Sequence, residues 1–125
     1  MMNNALFQNV FDILQKGLPD EWDKVILYAM YDDNSYSIKY YVSSGKGKYT
    51  DCFNLGIMTK AQLIKQFMEI DKVISSERKT LSEKEKWTSL TMTIESNGKF
   101  LTKFDYSFIE DPIEYEQKWI KLMLR

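Results

Sequence analysis

The chain has 125 residues, of which 44 % are hydrophobic and 14 % aromatic, a composition typical of a folded protein rather than a disordered one. Its 17 basic and 18 acidic residues leave a net charge of −1, which argues against proteins that bind nucleic acid through a strongly basic surface. At this length we expect one domain, residues 1–125. The single cysteine, the absence of a signal-like leader and the lack of a run of roughly 20 apolar residues predict a soluble cytoplasmic protein.

The first part of the chain predicts a helix followed by three strands. Apolar residues recur every three or four positions between Leu6 and Leu14, which places them on one helical face, and Gly17 followed by Pro19 ends the helix. Short apolar or alternating runs follow, separated by polar turns. The first run is apolar at almost every position, as is typical of a strand covered on both faces. The predicted strands cover residues 24–31, 36–42 and 48–54.

A second helix begins where the apolar period of three to four residues resumes. Thr59 is suited to be its N-cap, and Leu63, Phe67 and Ile74 lie on its apolar face. Residues 75–86 have mixed charge and no apolar period, so we expect them to form a solvated connection.

The C-terminal part predicts a hairpin and a last helix. Two alternating runs flank Asn97-Gly98, which indicates a tight type I′ turn. Asp111-Pro112 is suited to open the final helix. The element order α-β-β-β-α-β-β-α therefore predicts an α+β fold, with an antiparallel sheet of about five strands and three helices. The apolar stripe of the last helix is expected to contain Ile113, Trp119, Ile120 and Met123.

The residue content argues against an enzyme. The chain has no histidine, the commonest general base and transition-metal ligand. Cys52 therefore lacks a histidine that could activate it, and we expect it to fill space within a strand. Three groups of carboxylates remain, each explained by a turn, a helix start or the flank of a strand. We expect no catalytic residue, cofactor or metal site. The three groups are Asp20, Glu21 and Asp23; Asp32 and Asp33; and Glu110, Asp111, Glu114 and Glu116.

The second and third predicted strands are rich in tyrosine and lysine, which leaves a nucleic-acid-binding module as an alternative. Exposed rings could stack on bases while lysines follow the phosphates. Aromatic residues are equally suited to fill ordinary sheet positions. The residues concerned are Tyr36, Lys39, Tyr40, Tyr41, Lys46, Lys48 and Tyr49.

Two stretches of sequence resemble the YezG-like immunity proteins. The first is the predicted hairpin Trp87–Tyr106, with a Trp-Thr start, a Gly-Lys-Phe turn exit and a Phe-Asp-Tyr end. The second is Leu18-Pro19-Asp20-Glu21-Trp22-Asp23-Lys24-Val25, followed by Tyr28-Ala29. Immunity proteins of this kind are antitoxins that protect bacteria from secreted toxins, often nucleases, used in competition between neighbouring cells.

The resemblance implies a non-catalytic inhibitor that forms a heterodimer with the C-terminal domain of a cognate toxin and blocks it sterically, without binding nucleic acid or membrane. No basic residue adjoins Asp32 and Asp33 in sequence, so we expect this turn to contact a basic toxin surface, together with the flanking Tyr31 and Tyr36.

Overall fold

The computed structural model describes residues 4–32, 35–45 and 47–124, and its elements follow the predicted order. The α+β fold, with three helices and a five-stranded antiparallel sheet, is confirmed. The helices are α1 (Asn4–Gln15), α2 (Lys60–Arg78) and α3 (Pro112–Met123). The strands are β1 (Lys24–Tyr31), β2 (Tyr36–Ser43), β3 (Tyr49–Asp51), β4 (Ser89–Glu95) and β5 (Phe100–Asp105).

The sheet has the order β3-β2-β1-β4-β5, so β1 is its central strand. Every residue of β1 after Lys24 is buried, which explains why its sequence is apolar on both faces. On one face, Val25, Leu27 and Ala29 pack in a core with residues of α1 and α2. On the other, Tyr28 packs in a second cluster with Trp119 of α3. Helices therefore cover both faces of the central strand.

A buried polar network joins α1, α2 and β2. The Gln66 side chain accepts a hydrogen bond from the Tyr40 hydroxyl (2.8 Å) and donates to the carbonyl oxygen of Ile13 (3.0 Å) near the end of α1. A Cβ atom at Gly17 would lie 2.4 Å from the Tyr40 hydroxyl oxygen. Glycine is thus required at this position by the close approach of the network, and not by an unusual backbone angle.

Helix α2 extends further than predicted, whereas β3 is shorter. The prediction that residues 75–86 form a connection was wrong for residues 75–78, because α2 continues to Arg78 beyond its last buried residue, Ile74. The predicted third strand, 48–54, ends at Asp51, whose side chain accepts a hydrogen bond from the backbone N–H of Phe53 and starts a 3₁₀ turn. Cys52 accordingly lies in that turn and not within a strand.

The β4–β5 hairpin forms as predicted, but its turn is not of type I′. The Gly98 N–H donates to the Glu95 carbonyl (2.9 Å), and the Glu95 N–H donates to the Lys99 carbonyl (2.8 Å). These bonds close a three-residue loop in which Gly98 has a φ of 95°, the arrangement of a turn followed by a glycine bulge. Helix α3 begins as predicted, with Asp111 as N-cap and Pro112 in its first turn.

The predicted apolar stripe of α3 contains one error. Trp119 is buried, and Ile120 and Met123 pack against the same cluster. Ile113, in contrast, is 76 % exposed and faces solvent. Helical spacing alone did not distinguish the buried stripe from this flanking position.

Candidate interaction surface at one end of the sheet

Three connecting segments emerge at the same end of the sheet. The backbone N–H of Tyr31 donates to the Thr88 carbonyl (2.8 Å), and the N–H of Thr88 donates to the Asp105 carbonyl (2.7 Å). The end of β1, the start of β4 and the end of β5 therefore lie side by side. The β1–β2 turn, the α2–β4 connection and the β5–α3 loop consequently form one surface, which we call the sheet end.

Aromatic rings and an arginine anchor the β1–β2 turn to α2. The Tyr31 ring lies 6.0 Å from the Tyr36 ring and 5.5 Å, edge-on, from the Trp87 ring. Arg78 lies over both Tyr31 and Trp87, with its Cζ atom 5.4 Å from each ring centre, and its Nε–H donates to the Trp87 carbonyl (2.8 Å). The Tyr31 hydroxyl donates to Asp71 (2.7 Å), and burial together with this carboxylate raises its pKa.

The predicted toxin-binding residues thus occupy different environments. Tyr31 is buried (7 % exposed) and holds the turn on α2, whereas Tyr36 is 39 % exposed and Asp32 is exposed. The Asp32 carboxylate accepts hydrogen bonds from the backbone N–H (2.7 Å) and hydroxyl (2.9 Å) of Ser35, which closes the turn. Asp33 lies outside the described residues.

Cations that are distant in sequence surround the turn. A shallow groove of about 240 Å³ beside Asp32 and Tyr36 is also lined by Arg78, Lys79 and Lys86. Sequence neighbours alone indicated an acidic tip, but the end of α2 and the following connection bring basic groups to it. The tip is therefore a mixed-charge surface with one partly exposed ring.

The β5–α3 loop carries the most exposed aromatic side chains of the sheet end. Phe108 is 88 % exposed and Tyr106 is 57 % exposed. The loop is nevertheless anchored, because Ile109 packs against the cluster under α3 and the Thr88 hydroxyl donates to the Ser107 carbonyl (2.7 Å). Phe108 is thus presented to solvent by a fixed backbone.

A second network fixes the start of α3. The Tyr115 hydroxyl donates to Asp105 (2.5 Å) and, with its proton so placed, accepts from the Ser89 hydroxyl (2.7 Å). Asp105 also accepts hydrogen bonds from the backbone N–H and the hydroxyl of Ser107. The Tyr115 and Ser107 hydrogen bonds lower the pKa of Asp105.

An open groove of about 700 Å³ lies between the loop and the first turns of α3. Phe108, Glu110, Glu114 and Lys118 contribute to its lining. Glu114 and Lys118 form an exposed ion pair (3.2 Å), a type that contributes little to stability. The groove therefore combines an unpacked aromatic ring with acidic side chains. The exposure of Phe108 has no signal in the sequence, because the alternation of β5 ends before this loop.

The tyrosine–lysine surface considered for nucleic acid does not form a row of exposed rings. Tyr40 and Tyr41 alternate between the two faces and are 0 % and 6 % exposed. Lys39 lies close to Asp51, with 2.6 Å between nitrogen and oxygen. Bases therefore have no continuous aromatic platform on β2.

The cysteine thiol is buried, and the described residues form no cluster suited to bind a metal ion. Cys52 is 3 % exposed, and burial raises its pKa to about 12. Within residues 4–32, 35–45 and 47–124, no three cysteine or carboxylate side chains are grouped so as to hold a metal ion. No helix in the described part of the chain is both long and apolar enough to cross a membrane.

Comparison with known proteins places this chain in a family. The family model "Immunity protein YezG-like" matches residues 3–123, almost the whole chain. The chain is also similar to the protein named Immunity protein YezG from Bacillus spizizenii, with 27 % identity over 118 residues that cover 89 % of this chain and 71 % of that protein. The resemblance noted in the hairpin and in the entry to β1 is thereby confirmed: the chain belongs to the family of YezG-like immunity proteins.

Proposed function

We propose that this protein neutralises a cognate bacterial toxin by binding it stoichiometrically and blocking it sterically, and that the toxin carries a C-terminal nuclease domain. The observation that carries the proposal is the match to the YezG-like immunity family over residues 3–123. On this proposal, the protein acts in the cytoplasm of the producing cell and forms a heterodimer with the toxin domain.

The geometry supports a binding role over a catalytic one. Asp105 and Asp71, two carboxylates in hydrogen bonds with tyrosines, both hold structural elements together. Exposed rings, in contrast, are presented from well-anchored backbone at the sheet end, and such rings are common energetic anchors of protein interfaces. We assign Asp32, Asp33 and Tyr36 to the toxin contact, with Tyr31 holding the turn in place.

The test is an inhibition titration with the toxin domain encoded next to this gene. Nuclease activity of that domain on RNA and DNA is measured at increasing molar ratios of the immunity protein, and the complex is sized by light scattering. We expect activity to fall in proportion to added protein and to reach zero at a ratio of one to one.

Two outcomes would contradict the proposal in different ways. A stable complex with a toxin that degrades neither RNA nor DNA would retain the immunity role and reject the nuclease. Toxin activity that persists at a tenfold excess of this protein, with no complex detected, would reject neutralisation by binding.

A further inference from the structure

We propose that Phe108 is the principal anchor of the toxin interface and that it enters an apolar pocket on a basic face of the toxin domain. This inference rests on the proposed function and deepens it, since it places the contact on the β5–α3 loop in addition to the β1–β2 turn. The surface is defined by Tyr106, Phe108, Glu110 and Glu114, and we call it the acidic aromatic loop.

The exposed ring of Phe108 is unfavourable in water. Phenylalanine is normally buried, because removing its apolar ring from water is favourable. Here the side chain is 88 % exposed although its neighbour Ile109 packs inward and the Ser107 carbonyl is held by Thr88. The backbone is therefore fixed in a form that presents the ring, so that little conformational entropy remains to be lost on binding. Tyr106 adds a second exposed ring two residues away.

The charge around Phe108 indicates the chemistry of the partner. Residues 105–118 contain five carboxylates and one lysine, a net charge of −4, so the rest of the chain carries +3. The overall charge of −1 thus conceals an acidic segment of the chain that contains both exposed rings. An acidic border around apolar anchors is complementary to a basic protein surface, and a domain that acts on nucleic acid is expected to have one.

The acidic aromatic loop lies close enough to the β1–β2 turn for one partner to cover both. A typical interface covers about 800 Å² on each partner, a patch about 30 Å across. Strands β1 and β5 are separated only by β4, so their ends lie about 10 Å apart. The acidic aromatic loop and the β1–β2 turn therefore fit within one interface. A second copy of this chain would bring like charges together at the loop, and an anionic membrane would repel the same carboxylates.

The experiment compares variants in binding to the immobilised toxin domain encoded next to this gene. We expect Phe108→Ala to weaken binding by about 30-fold or more, mainly through faster dissociation. Glu110→Gln combined with Glu114→Gln should slow association by about tenfold at low salt, and this difference should disappear at high salt. The altered side chains are exposed, so the urea unfolding midpoints of these variants should match that of the wild type.

Two control variants test whether the effects are specific to the acidic aromatic loop. Leu122→Ala removes an apolar side chain that is 68 % exposed at the other end of α3 and should leave the dissociation constant unchanged. Asp20→Asn with Glu21→Gln removes two exposed carboxylates before β1, at the opposite end of the sheet, and should not alter association at low salt.

The outcomes distinguish the inference from the function on which it rests. Wild-type protein that fails to bind the toxin domain would overturn both. Tight wild-type binding that Phe108→Ala leaves unchanged would overturn the inference alone and retain neutralisation. Self-association of the wild type that Phe108→Ala abolishes would replace the toxin with a second copy of this chain as the occupant.

Discussion

Replacing Gln66 by leucine tests whether its buried network holds α1 against the sheet. The change keeps the approximate size of the side chain but removes the acceptor of the Tyr40 hydroxyl and the donor to the Ile13 carbonyl. Tyr40 is 0 % exposed, so water cannot replace the lost acceptor without a rearrangement. An unsatisfied buried hydroxyl costs about 1–3 kcal/mol, and the lost bond to Ile13 about 1 kcal/mol.

Part of this cost is offset by the more apolar leucine, and Ile13 retains a longer hydrogen bond from the Lys16 N–H (3.4 Å). We therefore expect Gln66→Leu to lower the free energy of unfolding by about 2–3 kcal/mol. Urea unfolding followed by tryptophan fluorescence measures the loss. Gln117→Leu, on the exposed face of α3, is the matched control and should change stability by less than about 0.5 kcal/mol.

A double-mutant cycle makes this prediction refutable. Tyr40→Phe removes the hydroxyl that Gln66→Leu leaves unsatisfied, so the double variant should be more stable than the sum of the two single losses predicts, by about 1 kcal/mol or more. Strictly additive losses, or a loss below about 0.5 kcal/mol for Gln66→Leu alone, would show that the network does not stabilise the fold as argued.

Three further perturbations follow from the structure. Tyr28→Phe should raise the free energy of unfolding by about 1 kcal/mol in urea, because the buried Tyr28 hydroxyl has no hydrogen-bond partner among the described residues; a loss of stability would contradict this. Asp105→Asn should destabilise the protein above pH 5, and its difference from wild type should shrink in acid titrations below about pH 4. Because the pKa of Asp105 is lowered in the folded protein, its carboxylate stabilises the fold above the pKa of 3.8 expected for the unfolded chain. This stabilisation is lost as the pH falls through the lower pKa of the folded protein. Asp32→Asn combined with Asp33→Asn should weaken toxin binding about three- to tenfold by slowing association, and an unchanged dissociation constant would eliminate the turn from the interface.

The order of elements could be predicted because each carries a local signal. The apolar run of β1, the Thr59 cap and the Asp111-Pro112 start depend on near neighbours in sequence, and the structure places all three as expected. The errors arose where the local signal was weak. The last turn of α2 has no buried residue after Ile74, and Gly98 is compatible with more than one type of turn.

The surroundings of the β1–β2 turn could not be predicted from local sequence. Asp32 has no basic neighbour along the chain, yet Arg78 and Lys86 reach its groove from segments more than 40 residues away. Tyr31 lies on the face covered by α2, which buries its ring and directs its hydroxyl to Asp71. Both facts depend on which helix covers which face, and the alternation of the strands does not specify this.

The two halves of the sheet end differ in charge, and this bears on how one immunity protein distinguishes its toxin from others. Cations border the groove on the α2 side, and carboxylates border the exposed ring of Phe108 on the α3 side. A partner that docks across both must bring basic groups to Asp32, Glu110 and Glu114 while keeping them away from Arg78 and Lys79. A toxin of reversed or uniform charge would place like charges together on at least one side, which is unfavourable even where the apolar contact fits. On the proposed surface, affinity therefore comes mainly from one exposed ring, while the arrangement of charge around it selects the partner and its orientation.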